Sequence, residues 1–147
     1  MAVPSLSALP HRPPFCFLTS VLEMEPGIAG SARWTLTGDE NFFKGHFPGD
    51  PLVPGVLLAE SLAQLSGMVA YAEDEISGGP PPQLAQVNIK FLNAVRPPAS
   101  IDLTARLTRR MAGLCLFDVT ATAQEAIAAK GTLVLAHQKS DSMEDPT

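Results

Sequence analysis

Residues 55–74, GVLLAESLAQLSGMVAYAED, decide how the rest of the chain is read. Val56, Leu57, Leu58, Leu62, Ala63, Leu65, Met68, Val69 and Tyr71 put apolar groups on almost every face. Leucine, alanine, methionine and glutamine are good helix formers. A stretch of about 20 residues is too long for a buried strand and suits a helix. A helix that is apolar all round is a buried helix. Pro54 precedes it, where a first turn misses no amide donor. Gly78-Gly79-Pro80-Pro81-Pro82 closes the proline-free stretch. The segment therefore predicts one long central helix.

The flanks alternate. Ile101, Leu103, Ala105 and Leu107 interleave with Asp102, Thr104, Arg106 and Thr108, the period of a half-buried strand. Met111-Ala112-Gly113 turns the chain into a strand over 114–123. A second turn at 124–126 leads to a last strand over 127–137, with Gly131 marking a bulge. Residues 83–92 form a strand ahead of these. Residues 15–23 and 30–36 form a hairpin around Glu25-Pro26-Gly27. One helix cannot cover both faces of a parallel sheet. The expected class is α+β, with an antiparallel sheet of about six strands curled round the helix.

Composition agrees with one domain. The chain has 147 residues and a mass of 15.6 kDa, enough for a core without staples. Apolar residues make 46% and charged residues 17%, a globular balance. A net charge of −5 argues against a general nucleic-acid binder, which needs a basic face. No apolar run approaches the roughly 20 residues of a membrane span. The first ten residues are uncharged and broken by Pro4, unlike a signal peptide, so a cytoplasmic location is expected. Cys16 and Cys115 have no metal-ligand spacing and read as free buried thiols. Residues 1–9 are expected to be a flexible N-terminus, 10–137 the domain, and 138–147 a disordered acidic tail.

The densest chemistry lies in residues 41–64, NFFKGHFPGDPLVPGVLLAESLAQ. His46 stands between Gly45 and Phe47-Pro48-Gly49, residues that fix an irregular loop and admit close approach. A lone histidine is more often structural, and the rigid loop weighs the other way. Pro54-Gly55 opens the helix, whose first amides lack partners and carry partial positive charge. Gly55 there admits a ligand carbonyl, although an ordinary turn reads the same way. Glu60 is the only ionisable side chain between Asp50 and Tyr71. Among apolar neighbours a carboxylate is costly unless paired, protonated or functional. Gln64, one turn on, is placed to orient it. The alternatives are an ion pair with Arg96 or Arg106, or a Glu60 that reaches solvent. Phe42, Phe43, Phe47 and Leu57 read equally as core or as the lining of an apolar tunnel.

Gly45-His46-Phe47-Pro48-Gly49, Pro51, Pro54-Gly55-Val56-Leu57, Glu60 and Ala63-Gln64 resemble the signature of the 3-hydroxyacyl-(acyl-carrier-protein) dehydratases of bacterial fatty acid synthesis. The resemblance extends upstream through Pro10-His11-Arg12-Pro14-Phe15 and downstream through Gly67 and Lys90-Phe91, over most of residues 9–137. It implies the hotdog fold, a long helix wrapped by a curved antiparallel sheet. It assigns His46 to removal of the C2 proton of a 3-hydroxyacyl thioester and Glu60 to protonation of the leaving 3-hydroxyl. The Gly55 amide would polarise the thioester carbonyl. Gln64, Phe47, Val56, Leu57 and Phe43 would contact the substrate. Glutamate at 60 resembles the plain dehydratase branch, since the isomerising branch usually carries aspartate.

No metal or organic cofactor is implied. The implied partners are an acyl carrier protein, or coenzyme A, bearing the acyl chain, and a second copy of the chain. The family unit is a dimer, often three dimers in a hexamer, with each site built across the dimer interface. The chain departs from the pattern at Pro13, usually aromatic, and at Thr19-Ser20, usually an acidic-basic pair. Arg96, Arg106, Arg109 and Arg110 offer a basic surface for a carrier, or a solvated strand face. An acyl thioester hydrolase of the same fold and a non-catalytic acyl-binding subunit are the competing readings.

Overall fold

The structure, a computed structural model, describes residues 3–71 and 81–137. Six strands and one long helix follow in the expected order: β1 (Ser20–Glu25), β2 (Ala29–Leu36), α1 (Gly55–Tyr71), β3 (Gln83–Phe91), β4 (Ala99–Met111), β5 (Leu114–Ala123) and β6 (Ala126–Ala136). They form one antiparallel sheet in the order β1-β2-β4-β5-β6-β3. Four of the five ladders carry a register shift, and such bulges add the local twist and bend that curl a sheet round a helix. This is the hotdog architecture. The expected end of the helix at Asp74, the Gly78–Pro80 part of its stop signal and the 138–147 tail lie outside the described residues.

The alternation of β4 is realised as read. Ile101, Leu103 and Ala105 are buried, while Asp102, Thr104 and Arg106 are exposed. Cys115, Phe117, Val119, Ala121 and Ala123 line the same face from β5. Against them lies α1, with Leu58, Leu62, Leu65, Met68 and Val69 all buried. Each such side chain contributes roughly 1.5–3 kcal/mol of hydrophobic stabilisation. Gly30 on β2 admits the helix closely: a Cβ there would stand 2.9 Å from a Val69 methyl. Buried Ser61 and Ser66 donate back to the Leu58 and Leu62 carbonyls of their own helix, so neither hydroxyl is stranded. Both cysteines are free, Cys115 buried and Cys16 half-buried.

Two local expectations are corrected. The first strand begins at Ser20 rather than residue 15, because the Phe17 amide is taken by the Gln64 side chain instead of a neighbouring strand. Gly131 is not at a bulge; it pairs in register with both Val119 and Ile89. Its lack of a side chain serves close approach: a Cβ there would run into the Asn88 carbonyl and stand 2.7 Å from the Ile89 Cα. Within the stretch expected to be flexible, Val3, Ser5, Ser7 and Ala8 are exposed, while Leu6 packs against the core. Ser5 caps a 3-10 turn over Leu6–Ala8, and Leu9 is buried in the core.

Candidate active site

The loop before α1 takes shape from its own backbone. A 3-10 turn over Asn41–Lys44 ends at Gly45, and the amides of Gly45 and His46 both bond the Phe42 carbonyl. Phe47 then adopts φ +65° and Gly49 φ +88°. Left-handed backbone is uncommon for a bulky residue and tends to mark functional loops. It turns the chain so that the Asp50 amide bonds the Phe47 carbonyl, and Arg96 bridges Asp50 at 2.9 Å from outside. The Arg96 bond and charge hold the Asp50 carboxyl below its ordinary range.

His46 is half-buried in this loop, and its Nδ1 lies 2.9 Å from the Leu52 carbonyl oxygen. A carbonyl only accepts, so in neutral imidazole Nδ1 carries the hydrogen and Nε2 keeps its lone pair. The loop thus presents a histidine whose other ring nitrogen has no hydrogen-bond partner among the described residues. At the start of α1 the Pro54 carbonyl accepts from both Leu57 and Leu58, and the Gly55 and Val56 amides have no backbone acceptor among the described residues. Gly55 is also tightly covered: a Cβ there would stand 3.1 Å from the Phe91 ring.

Glu60 lies one turn into the helix, its side chain 20% exposed. It pairs with neither Arg96, which is tied to Asp50, nor Arg106. Its partner is Gln64, whose Nε2 donates to Oε2 at 3.0 Å. The amide of Gln64 is oriented without ambiguity. The Phe17 N–H donates to its Oε1 at 2.9 Å, which leaves Nε2 for Glu60 and, at 3.3 Å, for the Phe15 carbonyl. Glu60 and Gln64 open into a cavity of about 550 Å³ lined also by His11, Ala63, Met68 and Tyr71.

The structure therefore brings Glu60 and Gln64 together, and adds His11, whose Nε2 lies 3.5 Å from Glu60 Oε2. It does not bring His46 into that cavity within one chain. Phe47 and Val56 are exposed, and Leu57 is half-buried against the core. Phe43 is buried in the core, with its ring centroid 4.5 Å from that of Phe42. None of the four lines the cavity beside Glu60. Sequence reasoning singled out neither His11 nor Phe91 as a site residue. Their nearest signals were the Pro10-His11-Arg12 and Lys90-Phe91 strings within the wider resemblance. Among the described residues no group of three or more His, Cys, Asp or Glu side chains is placed to hold a metal ion.

Comparison with known proteins agrees with this class of fold. The FabA-like domain family matches residues 9–132. The 3-hydroxyacyl-[acyl-carrier-protein] dehydratase FabZ of Polynucleobacter necessarius subsp. necessarius (strain STIR1) is 37% identical over 131 residues, covering 89% of this chain and 88% of its own. The FabZ of Haemophilus influenzae (strain ATCC 51907 / DSM 11121 / KW20 / Rd) is 33% identical over 134 residues, covering 90% of each. Among solved structures, the dehydratase heterocomplex ApeI:P from Xenorhabdus doucetiae superposes with a TM-score of 0.74 at 17% identity, over 90% of each chain. A hypothetical thioesterase with coenzyme A from Streptococcus pneumoniae TIGR4 superposes with a TM-score of 0.62 at 19% identity, over 81% of this chain and 84% of that one. Likeness at that identity shows the fold alone. The chain belongs to the FabA-like family and, within it, groups with the FabZ 3-hydroxyacyl-[acyl-carrier-protein] dehydratases.

Proposed function

We infer that the chain is a hydro-lyase that converts 3-hydroxyacyl thioesters carried on acyl carrier protein to trans-2-enoyl thioesters, in fatty acid or related acyl-chain biosynthesis. The observation that carries the roles is the state of His46: Nδ1 is held by the Leu52 carbonyl, which leaves Nε2 as a base. In this reading Nε2 takes the C2 proton, and the electron pair moves into a C2–C3 double bond. The C3–O bond breaks as Glu60 delivers a proton to the departing hydroxyl, which leaves as water. The Gly55 amide, without an acceptor among the described residues, faces charge that develops on the thioester oxygen. The acid and base then differ by one proton each, and a return transfer resets them.

The separation of His46 from the Glu60 cavity in one chain supports the second part of the reading. The working unit is a homodimer, alone or as three dimers in a hexamer, with His46 facing Glu60 of the partner copy. The surface has what such pairing needs. Strand β3 lies at the sheet edge with Leu84, Val87 and Phe91 exposed, and Val56 is 78% exposed at the start of α1. An open apolar edge strand is normally covered. For the carrier, Arg106 and Arg109 stay exposed on β4, while Arg96 is tied to Asp50 and Arg110 donates to the Ala70 carbonyl. Free thiols go with a reducing, cytoplasmic setting. No helix among the described residues is long and apolar enough to cross a membrane.

The test is direct. The protein, given a 3-hydroxybutyryl thioester, should develop the absorbance of the conjugated enoyl thioester without release of free thiol. His46→Ala and Glu60→Gln should each lower turnover on the order of 10²–10⁴-fold while remaining folded. Near-normal turnover by either folded variant would sink the assignment. Thiol release would make the protein a hydrolase, and neither signal would make it an acyl-binding subunit.

A further inference from the structure

We propose that His11 is a positioning residue for Glu60: with Gln64 it holds Oε2 and so reserves Oε1 for the proton that leaves with the 3-hydroxyl. The inference rests on Glu60 being the acid. His11 comes from the segment ahead of β1, and its Nε2 stands 3.5 Å from Glu60 Oε2, the same oxygen that Gln64 bonds at 3.0 Å. Oε1 has no partner among the described residues. A carboxylic acid carries its hydrogen on one oxygen and accepts on the other. The Gln64 N–H bonds Oε2 and the His11 Nε2 stands in contact range of the same oxygen; together they favour it as the acceptor and leave the hydrogen to Oε1.

The tautomer follows from burial. His11 Nδ1 is buried with no hydrogen-bond partner among the described residues. An N–H stranded there would be an orphaned donor, which is rarer in folded proteins than an under-satisfied acceptor. The hydrogen therefore sits on Nε2, toward Glu60. The mount is firm: Leu9 is buried in the core, and the Arg12 guanidinium donates to the Leu9 and His11 carbonyls and, at 3.4 Å, to that of Ser7. Once the proton has left, the same two donors face the carboxylate, so the arrangement serves both ends of the step.

Three substitutions in the full-length protein test this by steady-state dehydration of a 3-hydroxybutyryl thioester. Glutamine places an N–H near the position of the imidazole Nε2; asparagine and leucine do not. His11→Leu and His11→Asn should lower kcat roughly 10- to 100-fold with KM changed less than about twofold, and His11→Gln should retain kcat within about threefold. On a Glu60→Gln background, His11→Leu should add no further loss, because it acts through the missing carboxyl. The proposal is overturned if folded His11→Leu or His11→Asn turns over normally, or if His11→Gln falls as far as His11→Leu. It is also overturned if the loss is the same on both backgrounds, or if none of the three folds, which makes His11 a structural residue. Normal turnover by Glu60→Gln itself would instead remove the acid assignment, a result separable from all of these.

Discussion

Gln64 links the site to the scaffold through three hydrogen bonds. It is buried, accepts from the Phe17 amide and donates to Glu60 and to the Phe15 carbonyl, so it joins the helix to the segment leading into β1. Gln64→Leu would leave the Phe17 N–H without an acceptor, a loss of about 1–3 kcal/mol. A lower melting temperature together with reduced kcat is the expected result; unchanged melting would show that the bond contributes nothing net. Glu40 answers to pH. Burial by itself would raise its carboxyl, but the Thr37 and Gly38 amides outweigh it and hold the group below its ordinary value of 4.5. A folded-state value below the unfolded one stabilises above the ordinary carboxylate range and is lost as pH falls through the folded value. The stability gap between the wild type and Glu40→Gln should therefore close as pH falls from about 6 to about 3, measured by thermal melts. A gap that widens would reverse the sign.

At the scale of elements, β3 is an edge strand whose ladder partner among the described residues is β6, and Gly131 sets how closely the two approach. A methyl at 131 must displace the Asn88–Ile89 backbone, since backbone atoms and not a flexible side chain stand in its way. Gly131→Ala should cost about 1–3 kcal/mol, the range of overpacking, and lower the melting point by several degrees. The variant should also weaken self-association if β3 is the edge that meets a second copy. Melting within a degree of the wild type would show that the strand gives way easily. The hairpin of β1 and β2 has a comparable point of contact with α1. The Gly27 amide in its turn bonds the Val69 carbonyl at 2.8 Å, satisfying an acceptor in the last turn of the helix. Helix and hairpin are thereby tied at the end remote from His46.

For the whole molecule, assembly is the decisive measurement. Chains carrying His46→Ala, co-expressed with chains carrying Glu60→Gln, each lack one half of the pair. If His46 faces Glu60 of a partner, half of randomly formed dimers are mixed and each mixed dimer holds one intact site. Activity should return to roughly a quarter of wild type. If both groups act within one chain, mixing restores nothing. The legible part of the molecule was large. The central helix followed from apolar residues on every face, β4 from its alternation, and the candidate acid from its being alone in an apolar stretch. Residues 15–19 misread as strand because aromatic, apolar sequence looks the same whether a strand or a side-chain amide takes its backbone groups. Gly131 misread as a bulge because a glycine in a strand signals either a bulge or close approach, and only the neighbour decides which.

Periodicity and composition record which faces are buried, and here they determined by themselves the class of fold and the order of its elements, while the loop motif and the family it resembles supplied the loop-histidine and helix-glutamate candidates. They do not record what does the covering. That β3, next after the helix in the chain, joins the far edge of the sheet beside β6 was decided by tertiary structure. So was the meeting of His11 and Gln64 on one oxygen of Glu60. Contacts between residues far apart in the chain depend on the closure of the whole sheet round the helix. Their free energy is realised only after that closure, so no local pattern at either end announces them.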